Sequence, residues 1–182
     1  MTSHLDLVQT FGEENVTSVN YEQLRAIGLQ SQVARVLSEV GLPRQLSPVF
    51  TTQVVGEPAN FSVHEFDASG QDAKILVIGG SPGDKDVRYF LDVYEGLVGM
   101  FALTEGNMQM ETINSTIHDF VAFLHQCGVY LKKIDEAAEE ERLELVEELR
   151  SRLAEQDPPA LEVPDSWWSI VVDHLKGRES RS

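Results

Sequence analysis

Cysteine is nearly absent: Cys127 stands alone in 182 residues. No disulfide can form within the chain, and a reducing compartment is expected. No apolar run approaches the roughly 20 residues that a membrane span requires. The N-terminus, MTSHLDLVQTFGEEN, has neither the basic region nor the apolar stretch of a secretory signal. The expected location is therefore the cytoplasm. Positive charge is scarce too, with 14 basic residues against 30 acidic and a net charge of −16. Phosphate binding depends on lysine and arginine displacing counterions, so nucleic acid is a poor partner, and an anionic membrane surface is disfavoured by the same reasoning. A basic protein is the natural complement, because a field of one sign raises association rates by roughly 10- to 1000-fold. Solubility alone is the competing explanation for such a charge.

Signatures of catalysis are also missing. There is no Gly-x-Ser-x-Gly serine elbow. Five histidines are scattered, and His118 and His125, on one helix face, are separated by a rise of about 10 Å, too far for one metal ion. No Asp-x-Asp-x-Asp-Gly calcium loop occurs. Gly79-Gly80-Ser81-Pro82-Gly83-Asp84-Lys85 invites comparison with a phosphate-binding loop, but a strand follows it instead of a helix, and Asp84 and Asp86 repel an anion. Cys127, read as lying at a helix end before Gly128, lacks the positive environment of a nucleophile and is expected to be a buried filler. The expectation is no catalytic residue, no metal and no cofactor.

At this length one hydrophobic core is sufficient without staples, and 42% hydrophobic residues is ordinary for a globular chain. Ser3, Asn20 and Ser31 open three short helical patterns, the last running over residues 31–40 and stopped by Gly41 and Pro43. Residues 49–113 then read as β, with strands expected at 49–55, 60–66, 74–78, 87–93, 97–103 and 108–113. Turn residues separate them, including Asp67-Ala68-Ser69-Gly70 and Glu105-Gly106. At Asn114 the period changes from two to three-and-a-half, with Ile117, Phe120, Val121 and Leu124 on one stripe and Asn114 or Ser115 as the expected cap. An acidic segment over residues 135–156 carries a narrow stripe of Leu145, Val146, Leu149 and Leu153, plus a Glu148–Arg152 pair at i,i+4. The predicted fold class is α+β: a single mostly antiparallel (mixed) sheet of about six strands with N-terminal and C-terminal helices packed on it. One domain is expected over residues 1–176, its helical part 114–176, with a disordered tail at 177–182.

The stretch VRYFLDVYEGLVGMFALTEGNMQMETINSTIHDFVAFL carries a resemblance. A hairpin with Leu91, Asp92, Gly96 and Val98, a strand, and then Asn114, Ser115, Phe120, Phe123 and Leu124 resembles the SUKH superfamily, and within it the fourth clade, immunity proteins of bacterial polymorphic toxin systems. Leu37-Ser38-Glu39-Val40-Gly41-Leu42-Pro43 upstream is similar to that family's helix end and turn. Asp157-Pro158-Pro159-Ala160-Leu161 and Trp167-Trp168 downstream are similar to its closing segments. Glu95 departs from the pattern, which often has a small hydroxyl residue before the glycine. The resemblance implies a non-enzymatic immunity protein that neutralises a cognate toxin domain, commonly a nuclease or deaminase, by occlusion.

Two other classes stay open at this level: an acidic adaptor or secretion-chaperone-like module, and a small-ligand-binding domain or enzyme. The partner expected first is a basic toxin domain, with the chain itself a monomer or weak homodimer. Its contact is placed around Asp84, Asp86, Asp92 and Glu95, where acids cluster near the hairpin, with solvated loop charge as the alternative. Adjacent tryptophans, about 100° apart on a helix, cannot both face one core. One is expected to be buried and the other partly exposed, and Trp168 is the candidate aromatic anchor.

Overall fold

Ser3 begins the chain's structure by exchanging two hydrogen bonds with Asp6, its Oγ accepting from Asp6 N and its own N–H donating to the Asp6 carboxylate at 2.8 Å. This capping box starts α1 (His4–Phe11). The computed structural model describes residues 1–68, 71–104 and 107–177. After β1 (Val16–Thr17), Asn20 caps α2 (Tyr21–Ala26). Helix α3 (Ser31–Arg35) continues as a wider π turn, Val36–Val40, and stops at Gly41, whose φ of +86° suits glycine. Strand β2 (Leu42–Pro43) then pairs with β1.

The main sheet contains β3 (Gln45–Leu46), β4 (Phe50–Thr51), β5 (Val63–Ala68), β6 (Gln71–Gly80), β7 (Val87–Asp92), β8 (Val98–Thr104) and β9 (Asn107–Asn114). Its order is β3-β4-β6-β7-β8-β9, with β5 alongside the first half of β6 and β4 meeting β6 at Gly80. Every pairing in it is antiparallel. One edge of the sheet is thus assembled from short pieces, and the other is the single strand β9.

The architecture is the expected α+β one, with local differences. The strand expected at 49–55 shrinks to Phe50–Thr51: Val49 belongs to the turn from β3, its N–H donating to the Leu46 carbonyl, and the pairing with the β3 side ends where the Thr52 amide donates to the Arg44 carbonyl. The strand expected from residue 60 starts at Val63, since Phe61 holds φ +59°. Gly79 and Gly80 belong to β6 and not to a loop. A Cβ on Gly79 would sit 2.4 Å from the Phe50 ring, so glycine there admits an aromatic side chain. The expected turns at 69–70 and 105–106, and the tail beyond Gly177, lie outside the described residues.

Helices α4 (Ile117–Glu136), α5 (Glu139–Gln156) and α6 (Trp167–Lys176) follow, with a 3-10 turn at Pro158–Leu161. Thr116 caps α4 by accepting from Asp119 N, and neither Asn114 nor Ser115 does so. The helix runs straight through Cys127 and Gly128, which are not its end. Gly128 is a notch, where a Cβ would lie 2.4 Å from the Phe11 ring of α1. On one sheet face Leu76, Tyr89, Leu91, Val98 and Ile113 join Phe120, Phe123 and Leu124 of α4, Val146, Leu149 and Leu153 of α5, and Trp168 and Val172 of α6 in one buried core. The opposite face carries a smaller cluster of Ile75, Phe90 and Phe101.

Candidate partner-binding surface

Six-residue β7 divides the four candidate acids into two pairs. Asp84 and Asp86 precede it in an exposed loop, where Asp84 Oδ1 accepts from Asp86 N at 2.9 Å. Asp92 ends the strand and Glu95 lies in the turn beyond. At about 3.3 Å per residue, Asp86 and Asp92 stand about 20 Å apart. The acids therefore flank the sheet at two ends and do not form one cluster.

Within the second pair the roles differ. Asp92 is half-buried, and its Oδ1 accepts from Tyr94 N at 2.8 Å and Glu95 N at 2.7 Å. That carboxylate organises the turn, together with the Gly96 N–H donating to the Asp92 carbonyl at 3.0 Å. Gly96 holds φ +77°, as expected of a glycine at this place. Tyr94 and Glu95 project into solvent.

Trp168 is corrected by the structure. It is fully buried, packed against Phe120 and Phe123, and its Nε1 donates to Asn114 Oδ1 at 2.8 Å. A partner cannot reach it. Its neighbour Trp167 is the half-buried one, lying against Tyr89. Asn114 in turn donates to Asp157 Oδ2 at 3.0 Å, which also accepts from Ser115 N at 2.9 Å, while the Ser115 hydroxyl donates to Oδ1 at 2.7 Å. Three sequence motifs far apart in the chain thus meet in one buried polar network.

Arg88 was not singled out by the sequence, yet it sets the shape of the acidic loop. The side chain is 1% exposed and makes four hydrogen bonds to carbonyls: Nε to Pro58 at 2.9 Å, Nη1 to Lys85 at 2.8 Å and Val87 at 3.0 Å, and Nη2 to Val55 at 2.9 Å. It ties the loop carrying Asp84 to the segment before β5. A cleft of about 240 Å³ lies between them, lined by Gln53, Val55, Ser81, Asp84, Lys85 and Arg88 among others. The available signal was a lone arginine in the run VRYFLD, since a cation within a strand of buried residues needs fixed acceptors.

Reactive chemistry finds little support among these groups. Burial pushes the Cys127 thiol up to about 12, which keeps it protonated and inert. Its inertness thus comes from burial and not from a helix C-terminus. His118 and His125 border a second cleft of about 520 Å³ beside Asp6, Asp119 and Gln156. Burial lowers the pKa of His125, with Asp6 opposing the shift. Among the described residues, no group of three or more His, Cys, Asp or Glu side chains is placed to hold a metal ion. Among the same residues, no helix is long and apolar enough to cross a membrane.

No curated protein and no solved structure gives a significant match to the chain. A family model, that of the SUKH-4 immunity proteins, matches residues 2–174 and so takes in every helix but the last residues of α6, and the whole sheet. The motifs it spans are those gathered by the Asn114 network and by the β7–β8 hairpin, and the chain belongs to the SUKH-4 immunity protein family.

Proposed function

We propose that this protein confers immunity by binding a cationic toxin domain, such as a nuclease or deaminase, and covering the surface that the toxin needs for its substrate. Membership of an immunity family over residues 2–174 carries the reading. The charge supports the finer part. A domain that acts on nucleic acid must present cations to phosphate, and a surface of net charge −16 is attractive to it at long range. Asp84, Asp86 and Glu95 are exposed acids at the two ends of β7 and are proposed to meet the partner's field, whereas Asp92 acts through the turn it holds. Neutralisation would proceed by occlusion, without turnover, in the cytoplasm where the toxin is made.

Co-expression tests this directly. Each toxin domain of the host genome is expressed in a sensitive strain with and without this chain. Growth rescued against one domain, together with a complex that survives gel filtration, is the expected result. Binding to none of them would overturn the proposal. Hydrolysis of nucleic acid, nucleotides or esters by the purified chain, lost on replacing one carboxylate, would overturn the non-enzymatic part.

A further inference from the structure

We propose that the toxin domain docks on the free edge of β9 and adds one of its own strands to this sheet; the inference rests on the immunity reading above.

The two edges of the sheet differ in how they resist strand addition. An edge exposes unpaired N–H and C=O groups, and proteins protect it by shortening, by charge or by irregularity. The β3, β4 and β5 edge is protected in this way. Two of its strands have two residues each, and the third carries His64, Glu65 and Asp67. Strand β9 has eight residues, pairs among the described residues only with β8, contains neither proline nor a basic residue, and keeps a regular register from Asn107 to Thr112, shifting only at Ile113 near its end. Among the described residues, no backbone hydrogen bond from outside the β8–β9 ladder reaches it. Gln109, Met110, Glu111 and Thr112 are all exposed, Met110 to 43%.

The surroundings select a cationic occupant over a second copy of this chain. Glu111, the one charged residue of β9, donates nothing but accepts from Trp167 N at 3.0 Å, which brings the start of α6 beside the strand. The exposed Glu162 and Asp165 lie in the segment just before that amide. Strand β7 is two positions in from this edge, about 10 Å away, so the acids at its ends lie within about that distance of the edge at which the strand would be added. A second copy would bring another −16 to this acidic rim. A strand of a basic domain would find its backbone partners on β9 and counter-charges around it.

The test uses the full chain and the toxin domain that the rescue screen identifies. Along a strand, successive amides point to opposite edges, so of Met110 and Glu111 one faces β8 and the other faces out. Met110→Pro and Glu111→Pro are therefore made as a pair. The variant with the inward amide should melt early. The variant with the outward amide should melt near the wild type and yet bind the toxin about tenfold or more weakly, through the strand hydrogen bond it loses and the strand it excludes. Hydrogen exchange supplies the direct readout, with alternate amides over residues 109–113 gaining protection in the complex. A folded proline variant that binds as the wild type does, or protection confined to other segments, overturns the edge while leaving the immunity reading intact. Protection of these amides by the chain's own concentration, with dimers in sedimentation, overturns the choice of occupant. Binding to no toxin at all overturns both readings together.

Discussion

Asn114 Nδ2 lies 3.0 Å from Asp157 Oδ2, joining the last residue of the sheet to the turn before α6. Both side chains are buried, at 1% and 3% exposure, and the Asn114 oxygen holds Trp168 Nε1 from the other side. Removing the amide strands the indole N–H away from water, which costs about 1–3 kcal/mol, and takes from Asp157 Oδ2 one of its two donors, leaving Ser115 N, where a hydrogen bond to a charged group contributes about 1.5–3 kcal/mol. Asn114→Ala should therefore lose about 2–4 kcal/mol of stability in urea unfolding and change the fluorescence of Trp168. Trp168→Ala should likewise act on folding and not specifically on partner binding. A Trp168→Ala protein of unchanged melting temperature would contradict the buried placement.

Gly96 and Gly128 are needed for different reasons, and their variants should respond differently. Gly96 supplies a positive φ, so Gly96→Val should cost about 1 kcal/mol or more whatever space surrounds it. Gly128 sits mid-helix, where alanine alone would stabilise by about 1 kcal/mol. Its Cβ, however, would meet the Phe11 ring at 2.4 Å. Gly128→Ala should thus destabilise by about 1–3 kcal/mol, as overpacking does, and Phe11→Ala in the same chain should relieve part of that loss. A double-mutant cycle in thermal melting measures the coupling.

Much of this was legible in local pattern. Strands β6 to β9 follow from alternating residues, and α4 from the change of period at Asn114, because one buried face imposes each rhythm. Where a side chain finds its partner far along the chain, local reading fails. Asn114 and Ser115 have the chemistry of a cap, but Asp157 competes for them and Thr116 does the capping. Gly128 looked like a helix stop because its reason for being glycine lies in α1. The tryptophan pair required one buried ring, yet the phase of α6 that decides which one is set by contacts with Phe120 and Phe123. The acids read as one cluster in the sequence because sequence distance hides the length of an extended strand.

His125 gives the fold a pH dependence of predictable sign. It is half-buried on α4, facing the cleft that Asp6, His118 and Asp119 also line. Burial holds its pKa below 6.5, the unfolded value, so the unfolded chain binds the proton more readily. Stability from the neutral ring is present above pH 6.5 and is lost as pH falls through that value towards the folded pKa. Acidification also relieves repulsion among 30 acids, which acts in the opposite direction. The variant His125→Gln shares that second effect but not the first. Relative to His125→Gln, the wild type should therefore melt progressively lower between pH 7 and pH 5, and parallel melting curves would count against the assignment.

Association with the toxin domain should be steered by charge and held by contact. At physiological ionic strength a charge is felt over only about 8 Å, so raising salt from low to physiological concentration should slow association markedly. Dissociation should change little, because it depends on desolvated contacts at the core of an interface. Replacing Asp84, Asp86, Asp92 and Glu95 by their amides removes four negative charges from a net −16, all at the two ends of β7. The expected result is association several-fold slower and a weaker salt dependence, with the dissociation rate nearly constant. Asp92→Asn alone keeps an oxygen able to accept from Tyr94 N and Glu95 N, so the turn should persist and the fold with it. Stopped-flow mixing at several salt concentrations separates the two rates. A quadruple variant that associates at the wild-type rate would remove these acids from the encounter, and a change confined to dissociation would make them contact residues instead of steering ones.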